Sequence, residues 1–221
     1  MAHFPNQSEE NYLKTLYKLS HSQVKKVNNI ALAKELNLNP ATVLEMIRKL
    51  NAKKLVKVLP DKSIQLTEAG KKKALFIIRK HRLWEVFLMV KLQYNWNEVH
   101  ELAEQLEHVQ SEDMIDRLEA FLGYPAFDPH GDPIPDRNGN IKAKASTPLS
   151  AATKGKNYKV VNLADTGDSF LDYLGKLNIR PDIKIKLVEH NEYDNSSTIL
   201  VQKKTVQLSE KAAKNILVQP A

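Results

Sequence analysis

The sequence predicts a mainly α chain: an N-terminal winged helix-turn-helix, a helical domain in the middle and a small β-barrel at the C-terminus. Three observations predict it. Apolar residues recur at helical spacing as far as about residue 122. Within that stretch an Asn-Pro pair starts a helix after a tight turn, and two strand-like runs follow. After a Pro-rich segment, the last 65 or so residues break into five short β-rich runs, which suit a small barrel.

Composition sets bounds on function. The 221 residues are 42% hydrophobic and 27% charged, as in soluble globular proteins. There is no cysteine, which excludes disulfides and thiolate metal sites. No apolar run approaches a membrane span, and MAHFPNQSEENY has no basic region followed by an apolar core. A cytoplasmic location with no membrane partner is therefore expected. The net charge of +7 is unevenly spread. Residues 1–73 hold 14 Lys/Arg and 6 Asp/Glu, whereas residues 98–120 hold Arg117 against eight acidic residues. That asymmetry suggests a polyanion at one end and a cation at the other; the alternative is a Lys-rich solvated surface.

Residues 8–20 predict the first helix, with Ser8 as N-cap, Glu9 and Glu10 in the first turn, and Tyr12, Leu13, Leu16, Tyr17 and Leu19 buried. Ile30–Leu36 predicts a second. Leu38 and Asn39 turn the chain, Asn39 caps and Pro40 starts a third helix through Ala52, with Val43, Met46, Ile47 and Leu50 inward. Leu55–Leu59 and Ser63–Thr67 read as wing strands around Pro60-Asp61-Lys62. A recognition helix of this kind enters the DNA major groove by its N-terminal end. Asn39, Ala41, Thr42 and Glu45 would face base edges, with Pro40 setting the entry. Arg48, Lys49, Lys53, Lys54 and Lys62 would contact phosphates. The same fold also serves as a protein-docking module.

Thr67 caps a long helix to about Gln93, residues 97–109 form an acidic helix, and Ser111 caps another to about Leu122. Helices continuing past a winged helix commonly build a dimer interface. His81 and Glu85 share one face of the long helix. His100, Glu104, Glu107 and His108 fall within an arc of roughly 100° on the acidic one. Imidazole and carboxylate on one face suit Mn²⁺, Fe²⁺ or Zn²⁺, and the alternative is a solvated helix face. Residues 123–156 read as loop and linker. His130 with Asp128 and Asp132 has the generic spacing of turn chemistry and is read so rather than as a metal cluster. The β-rich runs are Tyr158–Leu163, Ile183–Glu189, Thr198–Val201, Thr205–Leu208 and Ile216–Val218, with a helix over about Ser169–Leu177. The expected domains are 1–73 for DNA, 74–123 for metal and dimerisation, a 124–156 linker and a 157–221 β domain.

This order of parts resembles the diphtheria-toxin-repressor family of metal-dependent transcriptional repressors, including its manganese-sensing branch. The resemblance covers the whole chain and is strongest at RKHRLWE (79–85), VHELAEQLEHV (99–109) and HGDPIP (130–135). It implies a homodimer that represses metal-homeostasis genes from a palindromic double-stranded operator, activated by Mn²⁺ or Fe²⁺, with no small-molecule substrate and no catalysis. It implies a primary site of Asn11, Glu104, Glu107 and His108. It implies an ancillary site of His81, Glu85 and His100, with a further ligand, Asp165 or Asp168, from an SH3-like β domain. Iron-sensing members carry a sulfur ligand where Glu104 stands, and manganese-sensing members often have Asp and Glu where this chain has Asn11 and Lys14. An ammonium has no lone pair, so Lys14 cannot ligate. The alternatives are a metal-independent DNA-binding regulator and a His/Glu metallohydrolase; the sequence has no HExxH to favour the latter.

Overall fold

The computed structural model describes residues 5–221 apart from Gln23, Lys25, Asn97 and Ala143; the side chains of residues 5–7 and of Asp168 lie outside that description. Helix α1 runs Pro5–Ser20, α2 Asn29–Leu36 and α3 Pro40–Ala52. The wing strands β1 (Val56–Val58) and β2 (Ile64–Leu66) pair antiparallel, Val56 opposite Leu66 and Val58 opposite Ile64. Helix α1 starts at Pro5, so Ser8 lies inside it and does not cap it; Pro suits a first helical turn, where its missing N–H costs nothing. The other caps follow local chemistry. Asn28 Oδ1 accepts from Ala31 N and Asn39 Oδ1 from Ala41 N, and Asn37 closes α2 in the left-handed region. Tyr12, Leu13 and Leu16 of α1 join Leu32, Val43, Ile47, Leu50, Val56 and Ile64 in one buried core.

Helix α4 (Glu68–Leu92) is followed by α5 (Val99–Leu106) and α6 (Glu112–Phe121). Thr67 Oγ1 accepts from Gly70 N and donates to Lys54 O, which starts α4 against the end of α3. Helix α5 is shorter than its sequence suggests. It stops at Leu106, so Glu107 and His108 stand in the turn beyond it rather than on its face. Ser111 Oγ accepts from Met114 N and caps α6 as expected.

The C-terminal part is a six-stranded antiparallel sheet in the order β3-β8-β4-β5-β6-β7. The strands are β3 (Thr147–Pro148), β4 (Asn157–Leu163), β5 (Lys184–His190), β6 (Ser197–Val201), β7 (Lys204–Leu208) and β8 (Ile216–Pro220). Helix α7 (Asp168–Lys176) precedes β5, and α8 (Glu210–Asn215), capped by Ser209, precedes β8. The five runs read from the sequence are all strands. The sixth, β3, lies within the stretch read as linker, and β3 and β7 remain edges, so the sheet is not a closed barrel. Bulges at Val160/Asn162 and Leu187/Glu189 curl it over a core of Leu149, Leu163, Leu171, Ile185, Leu187, Ile199 and Ile216. With this sheet, helix covers less than half of the chain, so it is not mainly α.

Two compact units result. One comprises the chain up to His81 with Glu104–Arg117 and Pro135–Asn140; the other comprises Arg82–Ala103, Leu118–Ile134 and Ile141–Ala221. Helices α4 and α5 each contribute to both. In the first unit Gly70 is pressed onto the end of α3's turn: a Cβ there would lie 1.9 Å from Leu55 O, a backbone atom that cannot step aside. Gly70→Ala should therefore cost about 1–3 kcal/mol despite Ala's better helix propensity. Gly123→Ala, with nothing within 4 Å but a φ of +76°, should cost about 1 kcal/mol. Urea denaturation of both variants checks the order, which is reversed if the Leu55 contact is unimportant.

Candidate functional site

The exposed surface of the first unit includes the start of α3. Asn39, Pro40, Ala41, Thr42, Glu45 and Arg48 are exposed along one side, opposite buried Val43, Ile47 and Leu50. On the wing, Asp61 accepts from Ser63 N and Oγ and pairs with Lys26 at 3.1 Å. These bonds hold its carboxyl down at about 2 and fix the turn that displays Lys62. Lys49 and Lys53 are exposed but engaged: their Nζ atoms lie 2.9 and 2.8 Å from Glu9 Oε1 on α1. Burial pushes the Glu9 carboxyl up, but the hydrogen bonds and charges of Lys53 and Lys49 outweigh it and hold the group below the ordinary carboxylate value.

The first unit gathers a second set of polar groups beneath α1. Glu107 is fully buried. Its Oε2 lies 2.7 Å from His81 Nδ1, and Lys14 Nζ donates to its Oε1 and Oε2 at 2.6 and 2.9 Å and to Glu104 Oε1 at 2.6 Å. His108 Nδ1 lies 2.7 Å from Glu10 Oε2, while its Nε2 faces Glu107 Oε1 at 3.8 Å. A carboxylate on one ring nitrogen fixes the imidazole's orientation and leaves the other for a ligand. Lys80, 1% exposed, lies 3.6 Å from Glu10 Oε1 and donates to Val109 O. Burial lowers its ammonium's pKa, and the charges of Glu10 and Glu107 oppose that. Asn11 Oδ1 is buried and accepts no hydrogen bond among the described residues. A buried amide oxygen without a donor costs stability unless a cation or donor completes it. Carboxylates, an imidazole nitrogen and an amide oxygen are donor types that fit a borderline-to-hard divalent ion.

The second unit holds another cluster. Glu85, Asp128 and His130 are all buried and bring three ligand-type atoms within 4.8 Å of one another. His130 Nδ1 lies 3.6 Å from Glu85 Oε1, and its Nε2 lies 2.9 Å from Trp96 O. Asp128 Oδ1 accepts from the N–H groups of His130 and Asp132, which shapes the loop, and Arg82 Nε lies 3.4 Å from Asp128 Oδ2. Burial raises the Asp128 carboxyl well above its ordinary value, and the charges of Glu85 and Asp132 add to it against Arg82. Two buried carboxylates and an imidazole this close form a donor set that also fits a divalent cation.

Glu104, Glu107 and His108 are linked through Lys14 and Glu107, and His81 joins them at Glu107. Glu85 and His100 pair in the second unit, His100 Nδ1 lying 3.1 Å from Glu85 Oε1. Asp165 Oδ1 accepts from Gly167 N. Asp168, whose side chain lies outside the described residues, opens α7. Sequence reading did not group Glu10 or Lys80 with these residues, and it set Asp128 and His130 aside as turn chemistry. The HGDPIP motif carried the signal for His130, but the loop bond to Asp128 looked like ordinary turn chemistry, which it also is.

Comparison with known proteins gives a consistent result. Residues 6–64 match the family model of the iron dependent repressor N-terminal DNA binding domain, residues 67–136 that of the iron dependent repressor metal binding and dimerisation domain, and residues 147–220 the FeoA domain. The iron-dependent repressor IdeR of Mycobacterium tuberculosis is 36% identical over 57% of this chain and 54% of that protein, so the chain spans about half the length of that relative. The diphtheria toxin repressor of Corynebacterium diphtheriae is 29% identical over 95% of this chain and 96% of that protein. A solved manganese-dependent transcriptional repressor in complex with manganese is 32% identical, with a TM-score of 0.86, and the likeness covers 96% of this chain and 100% of that one.

The Glu9 pairs make a testable difference at the recognition surface. Glu9→Gln releases Lys49 and Lys53, so binding to random-sequence duplex DNA should tighten, with a salt dependence steeper by about one to two in log–log slope. An unchanged slope would mean that the two lysines face no phosphate.

Proposed function

The chain belongs to the diphtheria-toxin-repressor family of iron- and manganese-dependent regulators, and from that premise we propose that it is a metal-activated, DNA-binding transcriptional repressor. The observation that carries this reading is the double role of α1. Tyr12, Leu13 and Leu16 anchor the winged-helix core, while Glu10 and Lys14 of the same helix meet the carboxylate and imidazole cluster. A constraint on Asn11 therefore bears on the element that carries α3.

Asn11, Glu104, Glu107 and His108 would hold the regulatory ion, with Glu10 orienting His108 and His81 fixing Glu107. Glu85, Asp128 and His130 would hold a second. When bound, a divalent ion supplies two positive charges to each oxygen-rich set, and the absence of sulfur favours Mn²⁺ or Fe²⁺. Asn39, Pro40, Ala41, Thr42 and Glu45 would meet base edges of a palindromic operator, with Arg48, Lys49, Lys53 and Lys62 on phosphates. Residues 1–73 would read DNA and 74–123 would sense metal and pair two copies, since a palindrome is matched by a two-fold dimer. The open C-terminal sheet is a small SH3-like module appended to them. Among the described residues no helix is long and apolar enough to cross a membrane, and the reading places the protein with its DNA in the cytoplasm.

Selection of duplex DNA from a random pool by the Mn²⁺-supplied protein, then binding with and without Mn²⁺, tests the function. The wild type should need the metal. Glu107→Ala should lose at least about tenfold of the Mn²⁺ stimulation, and His130→Ala should bind fewer Mn²⁺ per chain in calorimetry. Equal DNA binding with and without Mn²⁺ would make the protein a metal-independent regulator.

A further inference from the structure

Lys14 cannot be a metal ligand, yet it stands among the residues that would be. Its Nζ makes three short contacts, one to Glu104 and two to Glu107, which uses all three ammonium hydrogens on the carboxylates of the regulatory cluster. Its side chain is only 19% exposed and Glu107 is 0% exposed, so the pair is far less screened than a surface salt bridge. Lys14 and Asn11 are three residues apart on one helix and hence neighbours on one side of it. The ammonium thus spans the same gap, from α1 to residues 104–107, that an ion held by Asn11, Glu104 and Glu107 would span.

We propose that Lys14 is a tethered cation, and that activation of this protein is an exchange of cations rather than the neutralisation of a bare acidic site. The inference rests on the metal-activated reading above. The lone pairs now accepting from Lys14 are those a metal needs, so both cannot hold the same oxygens. Charge points the same way. Glu10, Glu104 and Glu107 carry three negative charges, and Lys14 and Lys80 return two. A divalent ion added with Lys14 in place would leave the group net positive, whereas with Lys14 swung out it is neutralised. Two consequences follow. The ammonium raises the concentration of metal needed for activation, and in the absence of metal it keeps α1 tied to the acidic segment.

The test uses the full chain carrying His130→Ala, so that the first-unit cluster is titrated alone. Lys14→Met in that background should bind Mn²⁺ at least about tenfold more tightly by calorimetry, while Lys14→Arg, which keeps a tethered cation, stays within about threefold of the parent. Without metal, Lys14→Met should melt at a lower temperature than the parent, because buried Glu107 has lost counter-charge, and saturating Mn²⁺ should abolish that deficit. If the methionine variant does not fold, Lys14→Gln takes its place with the same expectations. Equal or weaker Mn²⁺ binding by the neutral variants, with the parent still binding, overturns the tethered-cation proposal alone. A parent that takes up no Mn²⁺ in this background overturns the metal-activated reading and this proposal with it.

Discussion

A carboxylate withdrawn from water needs a counter-charge, and Glu107 is the most completely withdrawn acid in the first unit. Lys14 and His81 meet it from two helices, and both become poorly compensated if it is removed. The position of α1 over residues 104–108 follows from that requirement. On its other side α1 carries the apolar residues that fix α2, α3 and the wing. A single electrostatic demand is thereby coupled to the placement of a recognition helix through a packed core, and a close-packed core transmits a constraint instead of absorbing it.

The second unit solves a similar problem differently. Its cluster of Glu85, Asp128 and His130 is held by a loop whose turns are made by Asp128 itself, and by Gly131, whose φ of +93° and lack of a Cβ allow the chain to pass against Val161 O. Here burial pushes the Asp128 carboxyl up, the charges of Glu85 and Asp132 add to it, and Arg82 opposes it. The first cluster carries the ammonium of Lys14 on α1, and the second faces the guanidinium of Arg82 on α4.

What was legible in the sequence was local. Asn39-Pro40 and Thr67 specify helix starts through bonds two or three residues away, and the strand runs from Tyr158 to Val218 follow from alternation and β-branching. The grouping of Glu104, Glu107 and His108 was also legible, although α5 ends before the last two and a turn presents them. What was not legible depended on distant segments meeting. Nothing near Glu10 announces His108, 98 residues away. Asp128 and His130 satisfy a turn so well that their approach to Glu85 is invisible without the fold. His81 lies one turn from Glu85 on α4, yet its carboxylate partner is Glu107. The small helix α8 is too short to show a period, and β3, with Pro148, carries no alternation at all.

The central claim is that charge placed between Asn11 and residues 104–108 controls how firmly α1 is held. Amide hydrogen exchange along Pro5–Ser20, in the full chain with and without Mn²⁺, reads this directly, since exchange reports the free energy of local opening. Slower exchange across α1 on adding Mn²⁺, with the amides of β5 and β6 little changed, is the expected result. Exchange in α1 that is the same with and without the metal would contradict the account.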